Sequence, residues 1–217
     1  MSSRARSSKK IIRIDPSQAS KGARARAALM DAGLELLGEL TPRDLTPGVI
    51  CVAAKMKRPS FYTYFDSVDA LLADTLVREV SRLEGLYEAQ EEEGRSALYR
   101  LARIPFFIFR QATHELSRLK AFTTLFGYMQ FPTEAQSVGI SRDIAGAIDE
   151  GGLTLAPHEV EVFTQIYLAS LMSLITRHTQ TAMSANEIID AIKILLRGAG
   201  ADPDELDDIF QNIEASS

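Results

Sequence analysis

Between Thr46 and Tyr64 the chain gathers cations and hydroxyls: Thr46, Lys55, Lys57, Arg58, Ser60, Tyr62, Thr63 and Tyr64. Ammonium and guanidinium groups neutralise phosphates, hydroxyls donate to phosphate oxygens, and basic side chains at a helix front reach base edges in a groove. The chemistry of this set is therefore recognition of a polyanion rather than bond making. Nothing elsewhere competes with it. His114, His158 and His178 are far apart and in no metal-ligand spacing such as HExxH. The single cysteine, Cys51, has no evident histidine partner, and there is no glycine-rich phosphate loop. No catalytic residue, metal site or cofactor is expected, and the reading is of a protein that is not an enzyme.

The elements that must hold these groups are short. Thr46 suits an N-cap and Pro47 the first helical position. Val49, Ile50, Ala53 and Ala54 then form one apolar face of a short helix. Lys55-Met56-Lys57 is a turn, and Arg58-Pro59-Ser60 opens a second short helix carrying Phe61, Tyr62, Tyr64 and Phe65. Asp66-Ser67 closes it and caps a third, with Asp69 in the first turn, the sign the helix dipole favours. Two short helices joined by a tight turn, with basic and hydroxyl groups at the front of the second, predict a helix-turn-helix.

Together with an apolar first helix, this pattern resembles the amino-terminal signature of the TetR family of bacterial transcriptional regulators. The residues that carry the resemblance are Thr46, Ile50, Ala54, Met56, Phe61, Tyr62, Tyr64, Phe65, Leu71 and Leu72, within roughly residues 22 to 75. Three positions depart from the family pattern. Lys55 replaces a small turn residue, Lys57 the usual Ser or Thr at the front of the recognition helix, and Val68 the usual phosphate-touching lysine. The family's second domain varies widely, so the resemblance says little beyond this region.

Charge supports the same division. The 217 residues carry a net charge of -5, but residues 1–65 hold 12 Lys+Arg against 5 Asp+Glu, and the rest hold 12 against 24. A basic head on an acidic body suits a nucleic-acid-binding domain joined to one that does not touch nucleic acid. No signal peptide or apolar run of transmembrane length appears, so no membrane partner and a cytoplasmic location are expected. Cys51 reads as a packing residue, with a redox-sensing thiol as the alternative.

The fold class expected is all-α. Residues 1–19 form a flexible basic arm, 20–66 a helix-turn-helix domain, and 67–217 a larger helical domain for ligand binding and dimerisation. Helices are predicted over 21–38, 67–93, 96–113, 115–130, 133–150, 157–183 and 185–198, with Gly151-Gly152 and Gly198 as stops and a short tail helix after Pro203. The first should bury Ala28, Leu29, Ala32, Leu36 and Leu37. Pro105 should kink its helix or open a turn.

The body is dense in aromatics. Core packing is one use of them; an apolar cavity for a small hydrophobic or amphipathic molecule is the other. Phe107, Phe126, Met129 and Phe163 are the apolar candidates for such a site, and Arg110, Tyr128, Gln130, Tyr167 and His178 the polar ones. The helix at 157–183 is apolar nearly all round, through Val160, Phe163, Tyr167, Leu171 and Leu174 on one face and Val162, Ile166 and Ala169 on another. Such a helix needs cover on more than one side. Packing it and the helix at 185–198 against a second copy, as the resemblance implies, makes a homodimer. The partners expected are thus a double-stranded, palindromic DNA operator, a second copy and a small effector, with repression relieved by the effector. In the expected contacts Thr46, Tyr62 and Tyr64 donate to phosphates, and Lys57, Arg58, Ser60 and Thr63 face base edges. The alternatives are a DNA-binding regulator without a small effector, and a helical ligand-binding or scaffold protein that no longer reads DNA.

Overall fold

The structure is a computed structural model that describes residues 21–90, 94–129 and 138–215. The basic arm expected at 1–19, and Gln130 among the polar candidates, lie outside the described residues. Helix α1 (Lys21–Leu36) buries Leu29, Met30, Ala32, Gly33 and Leu34, while Ala28 and Leu36 remain partly exposed. A Cβ on Gly33 would meet Leu71 Cδ2 at 2.8 Å, so the missing side chain lets α1 close onto the fourth helix. After a 3-10 turn at Pro42–Asp44 comes α2 (Pro47–Ala53). Thr46 Oγ1 accepts the Val49 N–H at 3.2 Å, which satisfies one of the free donors at the α2 start.

Helix α2 ends in a Schellman motif. Met56 N–H donates to Cys51 O at 2.8 Å and Lys55 N–H to Val52 O at 3.1 Å. The motif requires left-handed backbone at Lys55, whose φ is +54°. A small turn residue would suit this position; lysine holds it at a cost of about 1 kcal/mol. Helix α3 is short, Arg58–Phe61, and continues as a turn in which Tyr64 and Phe65 both donate backbone bonds to the Phe61 carbonyl, at 3.0 Å each.

Helix α4 (Val68–Glu88) starts at the Ser67 cap, whose Oγ accepts the Ala70 N–H at 3.0 Å. It runs from the small helices into the body without a break. Helix α5 (Ala97–Tyr128) spans both helices expected at 96–113 and 115–130, and the predicted boundary survives as a kink at Glu115 (φ -134°, ψ 42°). The kink expected at Pro105 is not there, because Pro105 lies inside regular helix. Proline cannot donate to the carbonyl four residues back, and the freed Leu101 oxygen is instead served by the Tyr167 hydroxyl at 2.6 Å. A side chain from another helix thus replaces the bond that proline removes.

Then follow α6 (Val138–Asp149), α7 (Val160–Gln180), α8 (Ala185–Gly198) and α9 (Pro203–Ala215). Helix α8 opens with a capping box in which Glu187 accepts the Ser184 N–H at 2.9 Å and Ser184 Oγ accepts the Glu187 N–H at 3.3 Å. Gly151 turns the chain after α6 (φ +80°), but the turn after α8 falls at Gly200 (φ +88°) rather than Gly198, which is still helical. Among the described residues there is no strand, so the fold is all-α. No helix among them is long and apolar enough to cross a membrane.

Helix α5 is the central element: α4, α6, α7, α8 and α9 all pack on it, and α1 and the 3-10 turn rest against it. One apolar core runs through the molecule, from Leu29, Ile50, Phe61 and Leu71 near the small helices to Leu101, Leu125, Tyr167 and Ile175 in the body. Each such side chain contributes about 1.5–3 kcal/mol of transfer free energy.

Candidate functional site

The first part of the site is the outer face of α2 and α3. Phe61 is fully buried and packs against the Phe65 ring at 5.9 Å, which anchors α3 from below. With that anchor in place, Lys55, Lys57, Arg58, Tyr62 and Thr63 are exposed, Ser60 and Tyr64 are half-buried, and Thr46 is exposed at the α2 start. Val52 lies among them at 79% exposure, an apolar group suited to a thymine methyl. Among the described residues no carboxylate pairs with Lys55, Lys57 or Arg58. Three cations with no described carboxylate partner, near hydroxyls on an exposed helical edge, are of the type that contacts phosphates and base edges. Cys51 lies beneath this surface, 1% exposed, and burial pushes its thiol up from the ordinary value. A buried thiol of that kind is packing rather than a sensor.

Behind this face is an ionic seam. Glu79, in the middle of α4, is 1% exposed and receives the Arg118 guanidinium of α5 (Nε to Oε2, 2.8 Å) and Arg82 Nε at 3.0 Å. Arg82 also pairs with Glu115 at 2.9 Å, at the α5 kink. Arg78 lies 3.7 Å from Glu79 and also pairs with Asp31 of α1 at 2.7 Å. Burial pushes the Glu79 carboxyl up, but the hydrogen bonds and charges of Arg118 and Arg82 outweigh it and hold the group below its ordinary value. A carboxylate so placed is ionised and is matched by charge on both sides. Arg26 of α1 pairs with Asp74 of α4 and stacks over Phe65 at 4.7 Å. At the end of α5, the Tyr128 hydroxyl donates to Asp69 at 3.1 Å, tying α5 to the first turn of α4.

The second part of the site is a cavity of about 230 Å³ between α4, α5, α6 and α7. Leu83, Tyr87, Phe107, Phe122, Phe126 and Leu171 form its apolar walls, and Glu84, Glu88, Arg142 and Asp143 its polar rim. Tyr87 meets Phe107 edge-on at 5.3 Å and spends its hydroxyl on the Arg100 carbonyl at 2.8 Å.

No protein-family model matches the sequence, and no curated protein matches it. Solved structures do match. RolR in complex with resorcinol superposes with a TM-score of 0.62 at 16% identity, covering 87% of this chain and 94% of that one. A TetR family transcription regulator from Marinobacter aquaeolei VT8 gives 0.60 at 19% identity, covering 82% and 96%. The chain has the TetR fold. The fatty acid degradation regulator FadR from Bacillus halodurans shares it as well, at 0.61 and 15% identity, over 82% of this chain and 97% of that one.

The predicted polyanion-facing residues lie on α2, α3 and the turns beside them, Thr46 to Tyr64, whereas the predicted ligand residues are spread over α5 and α7. Phe107 and Phe126 line the cavity. Arg110, Tyr128, Met129, Phe163, Tyr167 and His178 do not. Tyr167 is fully buried with its hydroxyl committed to Leu101, and Phe163 stacks on it at 6.4 Å between centroids. Tyr128 is a strut to Asp69, and Arg110 is exposed. His178 accepts the Met183 N–H at Nδ1 (3.1 Å) and meets the Phe109 ring edge-on, in a small separate cluster with Ile188. Burial lowers its pKa, so it is a neutral capping group. Sequence reading missed Leu83, Tyr87 and Leu171 in the cavity and Glu79 in the seam. Glu79 had a signal: it interrupts the apolar stripe Leu72, Leu76, Leu83 at helical spacing, and a carboxylate in such a stripe needs internal partners.

Proposed function

We propose that this chain is a sequence-specific DNA-binding transcriptional regulator, acting as a twofold dimer on a palindromic operator and released from it by a small apolar or amphipathic effector. The observation that carries the reading is the edge formed by exposed Lys55, Lys57, Arg58 and Thr63 with half-buried Ser60, its cations paired with no carboxylate among the described residues, over the Phe61 anchor and the Thr46 cap. In this reading Lys57, Arg58, Ser60 and Thr63 face base edges, Thr46, Tyr62 and Tyr64 donate to phosphates, and Lys55 adds charge at the turn.

Dimerisation is supported by apolar side chains that the single chain leaves uncovered: Val162 at 56% and Ile166 at 48% on α7, and Ile194 at 65% on α8. A second copy related by a twofold axis covers them in a helical bundle and sets two reading edges in successive major grooves. The route from effector to DNA runs through α5 beyond its kink. Phe122 and Phe126 wall the cavity, while Arg118 and Tyr128 on the same stretch hold α4 at Glu79 and Asp69. An effector that prefers one setting of this stretch changes operator affinity by its differential affinity for the two settings. The cavity favours this reading over a regulator without an effector, and the unpaired cations favour it over a scaffold that has lost DNA.

The test is selection of bound duplexes from a random library, followed by titration of the winner at two salt concentrations. An enriched palindrome with steeply salt-dependent affinity is the expected result. A folded dimer that enriches nothing and shows no salt dependence would sink the proposal.

A further inference from the structure

Resting on the effector-cavity reading, we propose that the cavity takes a cationic amphiphile, an aromatic or branched apolar body bearing a protonated amine or quaternary ammonium group. The walls described above set the apolar body; the rim sets the charge. Two of the four rim groups neutralise one another, because Asp143 (1% exposed) pairs with Arg142 at 3.2 Å and with Arg100 at 3.0 Å. The other two are carboxylates. Glu84 and Glu88 stand one turn apart on the cavity side of α4, and among the described residues no cation lies within ion-pair distance of either. Like charges at this spacing repel.

Glu84 is set against the start of α6, where a Cβ on Gly139 would lie 3.5 Å from its Oε1. Burial first, and then Glu88, push the Glu84 carboxyl above its ordinary value, with Arg142 only partly opposing. The rim thus sets three carboxylates against one guanidinium, Arg142, which is already paired with Asp143, and its excess charge is negative. The other polar group in the wall, the Tyr87 hydroxyl, already donates to Arg100 O. Arg103 stacks on the Tyr87 ring at 5.3 Å but does not line the cavity. What the cavity presents to the polar end of a ligand is thus acceptor oxygens with negative charge. An ammonium group satisfies both, a hydroxyl only the first, and a carboxylate neither. The aromatic walls at Phe107 and Phe122 are of a type that attracts a cation entering beyond the rim.

The experiment uses the full chain and three probes that share one body: phenylbutylamine, phenylbutanol and phenylbutyrate, titrated calorimetrically at neutral pH. The amine should bind about tenfold or more tighter than the alcohol, with the carboxylate weakest, as expected for one charge pair at a partly exposed rim. In the Glu84→Gln/Glu88→Gln protein the advantage of the amine over the alcohol should shrink to about twofold or less, the charge pair having been removed. Alcohol or carboxylate binding as tightly as amine to the unmodified protein overturns the cationic reading and leaves the effector cavity standing. Failure of all three to bind overturns both.

Discussion

The α2–α3 edge and the body use polar side chains in opposite ways. On α2 and α3 the cations and hydroxyls face outward, with an entirely apolar floor of Leu29, Ile50, Phe61 and Leu71 beneath them. In the body several buried polar groups are consumed internally: Glu79 by the arginines of the seam, Asp143 by two more, Tyr167 by the Leu101 carbonyl and Tyr87 by the Arg100 carbonyl. The first region keeps its polar groups available for a partner; the second uses them to hold helices in register. A polar residue on the edge should therefore matter for binding and little for stability, and one inside the body the reverse.

The largest effect expected on this contrast is at Glu79. Glu79→Ala leaves Arg118 and Arg82 facing each other without their shared carboxylate, and urea unfolding should show a loss of about 3–5 kcal/mol. A loss under about 1 kcal/mol would mean that the seam is wetter than its burial indicates. On the edge, Arg58→Ala should cost about 1–3 kcal/mol of operator affinity while the unfolding midpoint moves little. An unfolding midpoint that fell with affinity would break the contrast. Tyr167→Phe removes the donor that replaces the missing proline N–H, and the stranded Leu101 oxygen should cost about 1–3 kcal/mol of stability. Lys55→Gly separates two roles of one residue: release of the left-handed backbone should stabilise the fold by about 1 kcal/mol, and loss of a cation should flatten the salt dependence of DNA binding.

The smallest expected effect is at His178, and it depends on pH. Its folded pKa lies below the ordinary 6.5. The unfolded chain therefore takes up the proton first as pH falls, so stability is level above 6.5 and declines below it. Unfolding measured across that range should show a slope in the native protein that His178→Gln lacks.

The same contrast explains what the sequence made legible. The helix-turn-helix could be read because Thr46, Pro47 and Ser67 mark helix starts by local chemistry, and because exposed cations have few structural uses. The two helices expected at 96–113 and 115–130 appear as one, with a kink at Glu115 close to the expected boundary. The lining of the cavity was not readable in the same way. Tyr167 and Tyr128 have the side-chain chemistry of ligand contacts, but partners distant in sequence, Leu101 and Asp69, occupy their hydroxyls. Pro105 misled for a related reason: its local rule predicts a kink, and a tertiary hydrogen bond from α7 compensates for the bond it cannot make. The cavity forms where four helices meet, and no single stretch of sequence encodes that meeting.

The contact between Gly33 and Leu71 also has a mechanical consequence. Because the two helix surfaces already touch there, α1 cannot come closer to α4 at that point, and α2, packed on α1, and α3, packed on α2, are joined to α4 through it. Helix α4 has 21 residues, which at the α-helical rise makes a lever about 30 Å long. A tilt of about 5° at one end displaces the other by about 2–3 Å over that length. In the proposed twofold pair the two displacements would add to about 4–6 Å, so an effector that tilts α4 by that much would change the gap between the two α2–α3 edges by more than the rise of one base pair, about 3.4 Å.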